Sequence, residues 1–324
     1  MISISIVSFN AIENIVVCID SILEYTKLPD YEILVNGFNF SQENKKYLNS
    51  KYGKDRRVVI TYSKGIRGYS ANHNINLVKA RYGFVCILND DTFVREDIFS
   101  SFIRILQQPN VGGCCPIFLN FDGSVQLLQR KKVSPWYYLA AKMKLDKLFS
   151  FLSSYEKISE FEKYRNREFC EINYGHGACF CLNRAYLVEG KLSEEYFLSP
   201  DDLYWSYLLR KQHSKKIILS CQNVIYHKGH AVISNLFPSA LPSQIKGMVD
   251  MFGKMGYRSL FLFNIFFFFV LILGFLFNIM MFAIFRRDRF RLLRRGYGNT
   301  IKVFWKKVSS PAIFRFYYKE EAAL

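Results

Sequence analysis

The chain has 324 residues, 44 Lys+Arg against 27 Asp+Glu for a formal net charge of +17, and half of its residues are hydrophobic. That length allows one large domain or two small ones with a sizeable core, which excludes a disordered or fibrous chain. Of its 31 Phe, ten lie between Leu260 and Phe285, a clustering that points to lipid.

The opening run Ile2-Ser3-Ile4-Ser5-Ile6 alternates like a strand and lacks the basic start of a secretory leader. The eight cysteines form no CxxC pair, so they are expected as reduced thiols in a cytoplasmic N-terminal part. The first hundred residues alternate strand-type and helix-type runs, the pattern of βαβ units closing a mostly parallel sheet. Candidate strands are Ile2–Val7, Tyr31–Val35, Val58–Tyr62 and Phe84–Leu88; Ile12–Tyr25 and Tyr69–Arg81 carry apolar residues at helical spacing. Open α/β sheets bind ligands at the carboxyl ends of their strands. That rule singles out Ser8-Phe9-Asn10, Asn36-Gly37, Ser63-Lys64-Gly65 and Asn89-Asp90-Asp91.

Between Val111 and Arg130 two strand-type runs flank Asn120-Phe121-Asp122-Gly123, where Asp-Gly favours a tight hairpin turn. Trp136 to Tyr164 mixes aromatic residues with Lys142, Lys144 and Lys147; it reads equally as an amphipathic helix on a membrane surface or as one packed on its own domain. A further α/β unit runs from Glu171 to His230.

Leu260–Phe285 contains no charged residue. As a helix it is about 39 Å long at ~1.5 Å per residue, longer than a bilayer's hydrocarbon core of ~30 Å, and membrane insertion is expected. The tail from Arg286 carries eleven basic against three acidic residues, interleaved with Trp305, Phe314, Phe316 and Tyr317. Beside an apolar span, that mixture fits anionic headgroups and interfacial aromatics, and no motif supports nucleic acid as a partner. The positive-inside rule puts this tail in the cytoplasm with the N-terminal part, yet one full crossing would separate them. The segment is therefore expected to dip in and return, turning near Gly274, or to lie tilted in one leaflet.

Three polar clusters carry candidate chemistry. Asn89-Asp90-Asp91 ends a strand, where carboxylates can hold a hard divalent cation, although an Asp pair also caps a following helix, and Arg95-Glu96-Asp97 is expected to begin one. Asp201-Asp202 precedes the helix-like Leu203–Arg210, and a carboxylate at a helix N-terminus stays ionised, as a base requires; an ordinary cap is the other reading. His227 ends a strand-type run and can complete a metal shell or serve a structural hydrogen bond.

Taken in order, Ile4–Asn10, Gly65–Asn74 and Leu88–Asp91, then Gly175-His176-Gly177-Ala178, Asp201-Asp202 and His227, resemble the family-2 inverting glycosyltransferases. The resemblance is nearest to the rhamnosyltransferase-like branch of bacterial O-antigen and capsule synthesis. It spans roughly residues 1–235 and implies an α/β GT-A fold for a domain 1–240, with a nucleotide-sugar half (1–110) and an acceptor half (111–240); the membrane-associated segment (241–324) rests on composition and lies outside the resemblance. The resemblance also implies that Asp91, with His227, holds Mg²⁺ or Mn²⁺ on the donor diphosphate, and that Asp202, or else Asp201, is the base. Ser8, Phe9, Asn10, Asn89 and Asp90 would border the nucleotide, with Arg67 and Asn72 near its phosphates or ribose. Where the family commonly reads the nucleobase with an Asp, this chain has Asn36. The implied partners are a nucleotide-diphosphate sugar and a lipid-linked saccharide at the cytoplasmic face of the inner membrane. The alternative is an inactive homologue serving as a membrane assembly subunit. A processive synthase would need several spans and a Gln-x-x-Arg-Trp motif, and neither is present in the sequence.

Overall fold

A computed structural model describes residues 1–65, 67–127, 133–153, 164, 166–229 and 236–322. Ile66, Arg130, residues 154–163 of the expected amphipathic stretch, His230 and Leu324 lie outside the described residues. The chain divides into two compact units. One comprises residues 1–131, 156–193 and 202–229; the other comprises 132–155, 194–201 and 230–324.

In the first unit the expected βαβ order appears: β1 (Ser3–Phe9), α1 (Ile12–Tyr25), β2 (Glu32–Phe38), α2 (Gln42–Tyr52), β3 (Val58–Ser63), α3 (Tyr69–Leu77) and β4 (Phe84–Asn89). There follow β5 (Thr92–Phe93), α4 (Phe99–Leu106), β6 (Val111–Leu119), β7 (Val125–Leu127), β8 (Phe169–Ile172), β9 (Cys179–Asn183) and β10 (Lys216–His227). The sheet runs β3-β2-β1-β4-β9-β6-β10-β5, with β7 on β6 and β8 on β10. Strands β3, β2, β1 and β4 are mutually parallel, and antiparallel β9 joins them to the parallel pair β6 and β10.

The pleat sorts the core by parity, because successive side chains point to opposite faces. Ile2, Ile4, Ile6, Cys86 and Leu88 pack in one cluster with Ile15, Cys18 and Ile19 of α1; Val85 and Ile87 pack in the other. All eight cysteines are buried and unbridged. The Asn120–Gly123 turn closes as a hairpin, with Asn120 N–H donating to Ser124 O and Asp122 Oδ1 accepting from Ser124 N–H.

Two helix expectations need correction. Helix α3 ends at Leu77 rather than Arg81, because the Lys79 and Ala80 amides turn back to the carbonyls of Asn76 and Leu77. No helix begins at Arg95: Asp97 instead accepts from the Ser100 amide ahead of Phe99, the start of α4.

The second unit is helical: α5 (Pro135–Lys142), the short α6 (Leu145–Leu148), α8 (Phe237–Lys254), α9 (Leu260–Phe285), α10 (Asp288–Val303) and α11 (Ser310–Ala322). Helix α7 (Asp201–Lys211) begins where the two units meet in the chain. Among the described residues α9 is the one helix long and apolar enough to cross a membrane. It runs straight through Gly274, so the expected turn there does not exist. The missing side chain serves packing instead, since a Cβ on Gly274 would lie 2.6 Å from the Tyr297 ring. The chain reverses at Arg286, which takes the left-handed conformation (φ 51°).

Candidate active site

The turn between β4 and β5 carries Asp90 and Asp91, and pairing of β5 with the end of β10 sets Thr92 opposite His227. This register fixes the site: Lys228 N–H donates to Asp91 O (2.9 Å), Gly229 N–H to Asp91 Oδ2 (3.2 Å), and His227 Nε2 lies 3.3 Å from Asp91 Oδ1. A strand follows Asp91 directly, so the pair does not cap a helix.

Gln126 on β7 decides the imidazole tautomer. Its Nε2 donates to His227 O (2.8 Å), which leaves its Oε1 as the atom 2.7 Å from His227 Nδ1. An amide oxygen only accepts, so Nδ1 carries the proton, and the Nε2 of a neutral ring is left as an acceptor 3.3 Å from Asp91 Oδ1. That oxygen is buried without a hydrogen-bond partner. Two acceptors facing each other at 3.3 Å need a proton or a cation between them. Burial pushes the Asp91 carboxyl up, but an imidazolium at His227, which would itself supply the proton between the two atoms, and the Asp91 and Gly229 backbone amides together hold it below the usual carboxylate range. A carboxylate oxygen and an imidazole nitrogen suit Mg²⁺ or, better, Mn²⁺. The described residues contain no cluster of three or more His, Cys, Asp or Glu side chains able to hold a metal, so the remaining ligands would be oxygens of substrate or water.

Asp90 differs from its neighbour: burial raises its carboxyl to about 6, against the opposing effect of the Ser8 hydroxyl. Ser8 is buried, and Phe9 is exposed and packs on Phe38 at 5.2 Å between ring centroids. These side chains and Asn89 gather at the ends of β1 and β4, which pair side by side.

Asp202 belongs to the same unit. Its Oδ2 accepts from Gly177 N–H (3.2 Å), and its Oδ1 accepts from Leu203 N–H in the first turn of α7. Tyr69 ties this loop to the Asp-Asp turn, because its hydroxyl lies 2.8 Å from Gly177 O and 2.9 Å from Asn89 Oδ1 while its ring stacks on Trp205. The two acidic motifs are therefore joined through one phenol. Asp201 is buried (3% exposed) and falls in the other unit.

Three expected nucleotide contacts are placed differently. Asn36 is fully buried on β2, with its Nδ2 donating to Asn72 O and Oδ1. Asn72 in turn donates to Arg67 O, so its carboxamide holds the loop before α3 rather than facing a crevice. Asn10 Oδ1 accepts from Ser41 N–H and Asn44 Nδ2, fastening the end of β1 to the start of α2. In each case the carboxamide is engaged by a backbone or side-chain group of the chain itself. Arg67 itself is exposed. The sequence assigns no role to Tyr69, although it stands in the quoted motifs, and no local signal marks Gln126.

The model for glycosyl transferase family 2 matches residues 3–190. The chain belongs to that family. No curated protein matches this family-2 chain. Among solved structures it is similar to GalNAc-T7 with UDP, GalNAc and Mn²⁺ (TM-score 0.54, 14% identity, 70% of this chain and 43% of that one). It is also similar to TarS from S. aureus (0.50, 11%, 78% and 64%) and to the mannosyltransferase PcManGT from Pyrobaculum calidifontis with GDP-Man and Mn²⁺ (0.53, 13%, 95% and 88%). The family-2 chain thus spans less than half of the GalNAc-T7 chain and under two thirds of the TarS chain. These likenesses establish the GT-A fold expected from the motifs.

Proposed function

We propose that this family-2 protein transfers a sugar from a nucleotide-diphosphate donor to a hydroxyl of a lipid-linked or growing surface polysaccharide, with inversion at the anomeric carbon. The observation that carries the reading is the Asp91–His227 pair, whose oxygen and nitrogen, 3.3 Å apart, leave a place for a proton or a cation between them. Mn²⁺ or Mg²⁺ held by Asp91 Oδ1 and His227 Nε2 would neutralise the charge that builds on the departing diphosphate. The Mn²⁺ bound in GalNAc-T7 and PcManGT, with UDP and GDP-Man respectively, supports that donor class. Ser8, Phe9 and Asn89 border the nucleotide, and Asp90 lies beside its phosphates. Asp202, positioned by the Gly177 amide and the Leu203 amide in the first turn of α7, accepts the proton of the attacking hydroxyl as the new bond forms. One in-line displacement suffices, and no covalent sugar–enzyme adduct forms.

The donor sugar is proposed to be rhamnose, from the branch of the family that the motifs resemble, and the site of action to be the cytoplasmic face of a bacterial inner membrane. The test is a panel of nucleotide sugars titrated against the full chain with Mn²⁺, Mg²⁺ or chelator, followed by transfer to lipid-linked acceptors. Metal-dependent binding of one donor and turnover with inverted product support the reading. Transfer undiminished after exhaustive chelation overturns the role of Asp91. Metal-dependent binding without turnover on any acceptor favours the inactive assembly subunit.

A further inference from the structure

Helix α9 has two unlike faces although its sequence carries no charge and is apolar but for Asn264 and Asn278. Phe263, Phe267, Leu271 and Asn278 are buried, whereas Leu262, Phe266, Phe269, Leu273, Met280 and Ile284 form an exposed stripe along its whole length. The buried side is covered at Phe263 and Phe267 by Phe252 of α8 and Tyr138 of α5, and beside them α10 returns antiparallel. Phe285 meets Phe290, Phe282 lies under the Arg294 guanidinium, Gly274 receives the Tyr297 ring, and Phe268 meets Phe304 and Trp305.

This pairing decides what the helix can do in a bilayer. Gly298 packs at Phe275 and Phe304 at Phe268, so the exposed Lys302 between them runs beside the middle of α9. Asn299 lies there too and donates to Pro238 O of α8, a helix that also carries Lys246, Asp250 and Lys254. If α9 crossed the membrane, Lys302 would sit near the hydrocarbon midplane and α8 would follow with its charges, the costliest position for them. The hairpin also makes both ends of α9 basic: Arg286, Arg287, Arg289 and Arg291 at one end, Arg258, Lys306 and Lys307 near the other. A single crossing needs that charge on one side only.

We infer that α9 lies flat in one leaflet of an anionic bilayer, its exposed stripe in the acyl region and the α10 and α8 layer on the water side, so that neither end crosses. An element with one apolar side and one basic polar side binds at the headgroup–acyl boundary, about 5–10 Å deep; here the α9 stripe is the apolar side and the α10 and α8 layer the polar one. Trp136, packed on Phe263 and Phe266, and the exposed Trp305 flank the first half of the stripe as headgroup-level anchors. This refines the membrane association in the proposed function and does not depend on the transfer chemistry.

The test adds full-length protein to preformed sealed vesicles of phosphatidylcholine and phosphatidylglycerol. Spin labels are carried in turn by Leu262→Cys, Leu273→Cys and Ile284→Cys; the native cysteines are all buried. Collision with oxygen and with a water-soluble nickel complex gives each label's depth. The expected result is one common depth for the three labels, within about 5 Å. A deep label at position 273 with headgroup-level labels at 262 and 284 would mean a crossing and overturn the inference. Labels shielded from both reagents, with a doubled particle mass, would assign the stripe to a second copy of the chain. Absence of binding to anionic vesicles would remove membrane association altogether while leaving transfer to a soluble acceptor analogue as the separate measure of catalysis.

Discussion

Asp91 Oδ1 and His227 Nε2 lie 3.3 Å apart, and Gln126, a residue with no motif around it, fixes the proton of a neutral imidazole on the other nitrogen. Asp91→Ala is expected to abolish metal-dependent transfer, measured as turnover with and without added Mn²⁺. Gln126→Ala leaves the ring free to present the wrong nitrogen. Loss of such an orienting partner typically costs 10–100-fold in metal affinity, and Mn²⁺ titration by electron paramagnetic resonance should show about that weakening with the fold unchanged. Asp202→Asn should keep donor affinity and lose about 10²–10⁴-fold in turnover; wild-type turnover would remove Asp202 as the base. Aspartates at a strand end were legible as a candidate site. The tautomer was not, because it depends on a hairpin strand about a hundred residues away in the chain.

Helix α3 shows why periodicity alone misjudges an element. It buries Ser70, Asn72, His73, Asn74 and Asn76, a polar face against the sheet. Asn76 Nδ2 lies within 3.1 Å of Ser5 Oγ, Ile6 O and Leu34 O, and so satisfies groups on β1 and β2 together. Asn76→Leu should cost about 1–3 kcal/mol, read as a lower denaturation midpoint, since those buried acceptors lose their donor. His73, bonded to Ser5 Oγ, is fully buried, and burial lowers it from 6.5 to about 3. The unfolded chain therefore binds a proton below pH 6.5 that the folded chain refuses until about pH 3. This contribution to stability is full above pH 6.5 and is lost as pH falls toward 3, by about 1.4 kcal/mol per pH unit. Thermal unfolding between pH 7 and 5 should show that slope, and His73→Gln should flatten it. Apolar spacing correctly gave a helix after Gly68, but a polar face has no such periodic signal, and its end moved from Arg81 to Leu77.

For the whole molecule, the inferred seat of α9 in one leaflet would attach its unit through one exposed apolar stripe. Exposed side chains contribute little to folding, so Phe269→Ser combined with Leu273→Ser should leave the melting temperature nearly unchanged. The same pair should weaken co-sedimentation with anionic vesicles by at least about tenfold, because each loses ~1.5–3 kcal/mol of apolar burial in lipid. By itself the sequence determined the βαβ order, the strand-end positions of Asp91 and His227, the hairpin at Asp122-Gly123, the reduced cysteines and a helix apolar enough for a membrane. Each of these is a local property, set by alternation, turn chemistry or composition within a few residues. Only the tertiary structure decided that residues 132–155 and 194–201 join the C-terminal helices in one unit. It also decided that Asn36 is enclosed, that Tyr69 links the two acidic motifs, and that a charged helix lies back along α9. Those outcomes depend on which distant groups meet, and a chain's local pattern does not encode which carbonyl a buried amide will find or which side of an apolar helix stays bare.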